Sequence, residues 1–209
     1  MEQAAAYMCN LYRMTKGADE VARLFDATSL QAGNVGIEVY PGYPGLVLAA
    51  GQLRSMVWGF PLAQKGAKGQ PLKPRPVNNA RADKLDSFMW RYSFAERRCL
   101  IPVTSFAEAE GPKGAKTRTW FALPDSPVFA VAGIWRETDE WGPAYTMIMT
   151  DACLHVADVH DRMPVILQQE DWGDWLDGSP DAAQLLCRPY PDLMVVERTS
   201  DLWARRKAS

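Results

Sequence analysis

A chain of 209 residues, 47% hydrophobic and 23% charged, has the composition of one globular domain rather than of a disordered or fibrous protein. No apolar run reaches the roughly 20 residues of a membrane span, and the N-terminus lacks the charged-then-apolar order of a secretory signal. The net charge of −2 conceals an asymmetry: Arg54 to Arg118 holds 13 Lys and Arg against 5 Asp and Glu, and the remainder holds 10 against 20.

Cys9 comes first in chain order, in Met8-Cys9-Asn10-Leu11-Tyr12-Arg13. Removing everything before it would free an amine beside a thiol. Such a 1,2-aminothiol condenses with an aldehyde to an imine, and the thiol then closes a five-membered thiazolidine. Reference pKa values of about 8 and about 8.5 leave both groups partly nucleophilic near neutrality. The plainer alternative is a small buried hydrophobe at the start of a first strand.

Asp19 to Phe25 reads as a short amphipathic helix. Gly42 to Gly45 is turn-like, and Leu46 to Ala50 and Met56 to Trp58 read as strands. Residues 64–76, rich in Gly, Pro and Lys, read as an exposed loop. Asp83 to Tyr92 is predicted helical. Strand-length apolar runs follow at Cys99–Ile101, Trp120–Leu123, Val128–Trp135, Tyr145–Thr150 and Pro164–Leu167. Glu170–Leu176 and Asp181–Leu186 read as surface helices. Many short strands and few helices predict a single α+β domain with a mainly antiparallel sheet or barrel core and peripheral helices.

Cys9, Cys99, Cys153 and Cys187 are scattered without a CxxC pair, so reduced thiols in a cytoplasmic compartment are expected. His155 and His160 are five apart, a poor spacing for one helical metal face, and no metal or cofactor is expected. Lys65, Lys68, Lys73, Arg75, Arg81 and Lys84 form a tract interrupted only by Asp83. It is either a solvated loop or a phosphate-facing surface on an otherwise acidic protein.

Four segments carry the chemistry: Met8-Cys9-Asn10-Leu11-Tyr12, Asn79-Ala80-Arg81, the run from Arg98 through Cys99-Leu100-Ile101-Pro102 to Glu108, and His160-Asp161-Arg162-Met163-Pro164. In this order they resemble the SOS response-associated peptidase (SRAP) family, whose members act on abasic sites in single-stranded DNA. Trp58-Gly59 and Ala132-Gly133-Ile134-Trp135 are further points of similarity. The resemblance spans about residues 8–176. It implies that a mature N-terminal cysteine captures the ring-opened abasic aldehyde as a thiazolidine, which shields the lesion. It also implies that Cys9 crosslinks, Asn79 holds the opened sugar, Glu108 shuttles protons, and His160 acts on the sugar hydroxyl oxygen. Arg81 and Arg162 would contact flanking phosphates, and Trp58 would stack or wedge beside the lesion. The implied partner is single-stranded DNA containing abasic sites, met by a monomer in the cytoplasm at the nucleoid. Read without the family, Glu108 and His160 are equally a strand residue and a structural histidine, Asn79 a turn residue, and Trp58 a core residue.

The chain departs from the family pattern in three places. Met1 to Tyr7 precede Met8, and an acylated Cys9 nitrogen cannot form an imine. Residues 1–8 are therefore read as a leader ahead of a domain over 9–209. Translation starts at Met8, or the chain cuts its own Met8-Cys9 bond by an N→S acyl shift, or the leader stays. The last two options correspond to a thiol-dependent autopeptidase and to a non-catalytic single-strand-binding module. Ala107 and Ala109 around Glu108 make the expected pocket walls small, and the stretch from about Pro180 to Ser209 does not match closely.

Overall fold

Strands in the middle of this chain close on themselves, and that closure positions everything else. In the structure, a computed structural model, residues 9–29, 33 and 35–203 are described; the leader read over residues 1–8 lies outside them. The elements run β1 (Tyr12–Arg13), α1 (Ala18–Leu24), β2 (Thr28–Ser29), β3 (Glu38–Val39), β4 (Pro44–Ala49), β5 (Gln52–Trp58), β6 (Phe60–Lys65), β7 (Pro71–Val77) and β8 (Asn79–Arg81). Then come α2 (Arg91–Glu96), β9 (Arg98–Val103), β10 (Ser105–Glu110), β11 (Thr117–Ala122), β12 (Phe129–Thr138) and β13 (Gly142–Asp151). The chain ends with α3 (Leu154–Ala157), β14 (Arg162–Pro164), β15 (Ile166–Leu167), α4 (Trp172–Asp177), α5 (Pro180–Leu185) and β16 (Val195–Leu202).

The larger sheet runs β14-β13-β12-β9-β4-β5-β2, and β13 also pairs in parallel with β5 through Ala144↔Val57 and Tyr145↔Trp58. The strands β5, β4, β9, β12 and β13 thereby form a closed barrel. Closure removes sheet edges that would otherwise expose unpaired backbone groups. β9 is buried at all six positions, as expected of a strand covered on both faces. The smaller sheet runs β16-β11-β10-β1-β3. One apolar cluster joins both sheets, from Tyr12 and Phe106 to Trp58, Ile101, Tyr145 and Trp175. The fold is thus mainly antiparallel β with peripheral helices, in line with the expected α+β class.

Four elements differ from the expectation. The stretch 64–76 is not a loop but most of the β6–β7 hairpin, with Leu62 opposite Arg75 and Lys65 opposite Pro71. Gly69 supplies the turn at φ +79°, and the prolines of β7 are tolerated because that strand pairs only with β6. Asp83 to Tyr92 is a short 3-10 turn followed by α2 starting at Arg91; Asp86-Ser87 falls between them, residue types that favour local turns over helix interiors. The surface helix read over Glu170–Leu176 starts only at Trp172, after a 3-10 turn over Gln169–Asp171, and its one buried side chain, Trp175, donates from Nε1 to the Cys99 carbonyl at 2.9 Å. Pro164–Leu167 divides into β14 and β15, which pair with β13 and β12 respectively. No strand-length apolar run marks the short β2, β3 and β8, nor β10, where polar Ser105, Glu108 and Glu110 mask the pattern, nor β16, which is largely exposed.

Arg98 is buried on β9 and donates to the carbonyls of Phe94, Trp175 and Gly178, which ties α2 and α4 to the barrel. The two sheets are locked by the hydroxyls of Tyr12 and Tyr145, which hydrogen-bond at 2.5 Å. Gly45 makes the room: a Cβ there would lie 2.1 Å from both tyrosine oxygens. Gly45→Ala should therefore lower the unfolding free energy by about 1–3 kcal/mol, the usual cost of overpacking a core. Urea denaturation measures this, and an unchanged midpoint would contradict the close approach.

Candidate functional site

Cys9 lies just before β1, where the smaller sheet meets the barrel. The Leu11 carbonyl accepts from the Ala107 amide at 2.9 Å, which fixes this stretch against β10. Side chains alternate along a strand, so Glu108 shares a face of β10 with Phe106, which packs in the common core. Glu108 consequently points inward and is only 1% exposed. Its carboxyl accepts a hydrogen bond from the Cys9 backbone N–H. The Cys9 carbonyl accepts from Asn79 Nδ2 at 2.8 Å and from Asn78 Nδ2 at 3.0 Å. Asn78 Nδ2 also lies 3.0 Å from Asn10 Oδ1. The Cys9 thiol donates weakly to the Leu11 carbonyl at 3.7 Å. Cys9, Asn79 and Glu108 are thus brought into one cluster around the backbone of Cys9.

Two acceptors in this cluster, Glu108 Oε1 and Asn79 Oδ1, are buried without a hydrogen-bond partner among the described residues. An unmade buried hydrogen bond costs about 1–3 kcal/mol, so these atoms favour a polar ligand that supplies donors. Burial raises the Glu108 pKa well above the ordinary carboxyl range; Asp161 pushes the same way, and the Cys9 amide and Lys116 oppose it. Glu108 therefore keeps its proton at pH values where an exposed glutamate has lost it. Burial also raises the Cys9 thiol, with Glu108 adding to the effect. The pair is a neutral acid beside a neutral thiol.

A second cluster sits beside the first. β8 and β14 both pair with β13, with Arg81 opposite Met149 and Arg162 opposite Asp151. Arg81 and Arg162 share an open pocket of about 440 Å³ that also holds Asp83, Thr150 and Asp151. Arg81 is engaged by Asp83 through two contacts of 2.8 and 2.6 Å, and Arg162 lies 3.8 Å from Asp151. His160 precedes β14. The Arg162 amide donates to its Nδ1 at 3.0 Å, and the Arg162 carbonyl and Asp161 Oδ1 each lie 3.2 Å from the same nitrogen. Asp161 acts electrostatically on both Arg81 and Glu108, which links the two clusters.

Trp58 does not serve as a stacking surface. It is 0% exposed, meets Tyr12 edge-on at 5.1 Å, and donates from Nε1 to the Asn78 carbonyl at 2.9 Å. Its physical role is to hold the Asn78-Asn79 step in place from within the core. Sequence reasoning missed Asn78 and Asp161; their adjacency to Asn79 and His160 was the available signal.

Solved structures share the fold that carries these clusters. A crystal structure from Bordetella bronchiseptica matches with a TM-score of 0.78 at 23% identity, covering 91% of this chain and 99% of that one. One from Bacteroides thetaiotaomicron matches with a TM-score of 0.76 at 21% identity, covering 91% of each chain. The chain belongs to the family described as SOS response associated peptidase (SRAP), which it matches over residues 8–202. The abasic site processing protein YoqW of Bacillus subtilis (strain 168) is 37% identical over 149 residues, 66% of this chain and 65% of YoqW. The abasic site processing protein YoaM of the same organism is 34% identical over 148 residues, 66% of this chain and 64% of YoaM. The chain spans slightly less than two thirds of the length of these relatives.

An acid whose pKa is higher folded than unfolded binds an extra proton in the native state. Its stabilising contribution is complete below the unfolded value near 4.5 and is lost as pH rises toward the folded value. The loss approaches about 1.4 kcal/mol per pH unit. Glu108→Gln removes this titration. The unfolding free energy of the variant minus that of wild type should rise from about pH 5 to about pH 8 in urea titrations; a flat difference would refute a raised Glu108.

Proposed function

We propose that this protein binds single-stranded DNA at an abasic site and captures the ring-opened aldehyde covalently through Cys9. The single observation that carries the reading is the carboxyl of Glu108 on the nitrogen of Cys9. That nitrogen is the atom that must become an amine, attack the aldehyde and lose a water molecule. The balanced sequence is amine addition to give a carbinolamine, expulsion of water to give an imine, and addition of the thiol across the C=N bond to give a thiazolidine. A carboxylic acid that burial makes harder to ionise than an exposed one protonates the departing hydroxyl. The resulting carboxylate takes the thiol proton as sulfur adds.

The other residues take supporting roles in the same reading. Asn79 keeps a free buried acceptor for a hydroxyl of the opened sugar. His160 exchanges a proton with the sugar hydroxyl oxygen and assists ring opening. Arg81 and Arg162 bind phosphates on either side of the lesion. The relatives named as abasic site processing proteins and the shared family support the choice of substrate. An abasic nucleotide has no base to unstack, so turning it into a pocket costs less than ordinary base flipping. Crosslinking requires the Cys9 nitrogen to be free and its sulfur, now fully buried, to be uncovered.

A second reading shares the same contact. The amide that Glu108 touches belongs to the Met8-Cys9 bond, so an N→S acyl shift has an acid placed at its leaving nitrogen. Glu108→Ala or His160→Ala protein that matures as fast as wild type would eliminate self-processing.

Crosslinking is tested with a short single-stranded oligonucleotide containing one aldehyde-bearing abasic site. Wild-type protein whose intact mass starts at Cys9 should give a heat-stable adduct, and Cys9→Ala should give none. Glu108→Gln should slow adduct formation by about 100-fold or more, the usual share of a positioned proton donor. Wild type with a free Cys9 and no adduct would end this reading. Arg81→Ala and Arg162→Ala should each weaken binding and flatten the slope of log affinity against log salt by about 0.7; unchanged slopes would remove these arginines from the phosphate path.

A further inference from the structure

The β6–β7 hairpin leaves both sheets as a separate two-stranded ribbon. Residues 60–77 contain Lys65, Lys68, Lys73 and Arg75 and not one Asp or Glu. All four cations are exposed, and none forms an ion pair with a described residue. The protein as a whole is acidic, with a net charge of −2, so this concentration of positive charge on one projecting arm is local. Its root is at the site. β6 begins two residues after Trp58, and β7 ends at Val77, immediately before the Asn78 and Asn79 that grip the Cys9 carbonyl. The root is firmly held: Phe60 is buried against Trp90 with ring centres 5.5 Å apart, and the Arg136 guanidinium lies 4.2 Å over the Phe60 ring.

An aromatic residue stands at the same root. Tyr43 is 63% exposed on the turn before β4, and its carbonyl accepts from the Trp58 amide at 2.9 Å. A Cβ on the preceding Gly42 would lie in ordinary van der Waals contact, 3.8 Å, with the Pro76 ring of β7, so this turn abuts the ribbon. An exposed ring followed by a row of cations is the composition that binds a single strand: bases stack on the ring and phosphates track the charges.

Resting on the crosslinking reading above, we propose that the single strand leaving the lesion runs outward along the β6–β7 ribbon. A base next to the lesion stacks on Tyr43, and successive phosphates meet Lys65, Lys68, Lys73 and Arg75. Tyr43 thereby takes the stacking role that the buried Trp58 does not fill. The ribbon extends the footprint beyond the Arg81 and Arg162 pocket and reads no base identity.

The test uses oligonucleotides carrying a tetrahydrofuran abasic analogue, which has no aldehyde and reports binding alone. One is a pentamer with two nucleotides on each side; the other is a 15-mer. Affinities are measured by fluorescence anisotropy over a salt series, with wild type, Tyr43→Ala, Tyr43→Phe and a variant with all four cations changed to Gln. Wild type should bind the 15-mer at least about tenfold more tightly than the pentamer, since four phosphate contacts contribute a salt slope of about 3. The four-Gln variant should keep the pentamer affinity, lose that gain and lose about 3 from the slope. Tyr43→Ala should weaken the 15-mer at least about fivefold and Tyr43→Phe should restore it, because stacking needs only the ring. A four-Gln variant with the full 15-mer gain would overturn the proposal. So would a gain that appears only when the flank is base-paired, which would assign the ribbon to duplex DNA. A ribbon-dependent gain with no adduct on an aldehyde-bearing pentamer would support the ribbon and refute the chemistry at Cys9.

Discussion

The meeting of two sheets at Tyr12 and Tyr145 is the contact on which the rest depends. Tyr12 belongs to the smaller sheet and Tyr145 to the barrel, and their hydroxyls touch over the vacant side of Gly45. Everything chemically active lies a few residues from this lock. Cys9 and Glu108 come from the Tyr12 side; Asn79, Arg81 and Arg162 come from strands attached to β13, which carries Tyr145. A site assembled across a seam inherits its precision from the seam. The barrel closes through the same residue, because Tyr145 faces Trp58 in the parallel β13–β5 pairing.

Burial then does most of the electrostatic tuning. No metal-binding group occurs among the described residues, and the cluster around Cys9 holds no charged partner that would draw the Glu108 proton away. Desolvation is the largest influence favouring the neutral acid and the neutral thiol. The charged side chains gather outside, in the Arg81 and Arg162 pocket, where water and phosphate can reach them. The separation of a neutral interior from a cationic rim follows from position along the strand: Asn79 and Arg81 share a face of β8, and Arg81 lies at its less buried end.

Much of this was legible in the sequence, and the failures have physical causes. The apolar runs of β4, β9, β13 and the first part of β12 announce buried strands because both faces are covered. Cys9, Asn79, Glu108 and His160 stand out as residue types able to do proton and thiol chemistry, but the meeting of Cys9, Asn79 and Glu108 is set by tertiary pairing that no local pattern encodes. Trp58 shows the limit most clearly: a tryptophan suits a base-stacking face and a core equally well, and only burial separates the two. The hairpin over 60–77 was hidden by its own prolines and glycines, which signal loop by composition yet are tolerated in a ribbon that pairs along one side only. β10 was hidden because its core-facing position is a glutamate, which inverts the expected polar and apolar alternation at the residue that matters most.

The prolines of β7 carry one more consequence. Pro71, Pro74 and Pro76 offer no N–H, so the free side of that strand is a poor template for a further strand. A bare two-stranded arm projecting from a protein is ordinarily an invitation to edge-to-edge growth, through which copies zip into sheets. Here the arm is notched by imino acids and bristles with like charge, so two arms repel each other and cannot knit. The chain can therefore hold out a strand with a free edge without that edge becoming a seed for self-assembly.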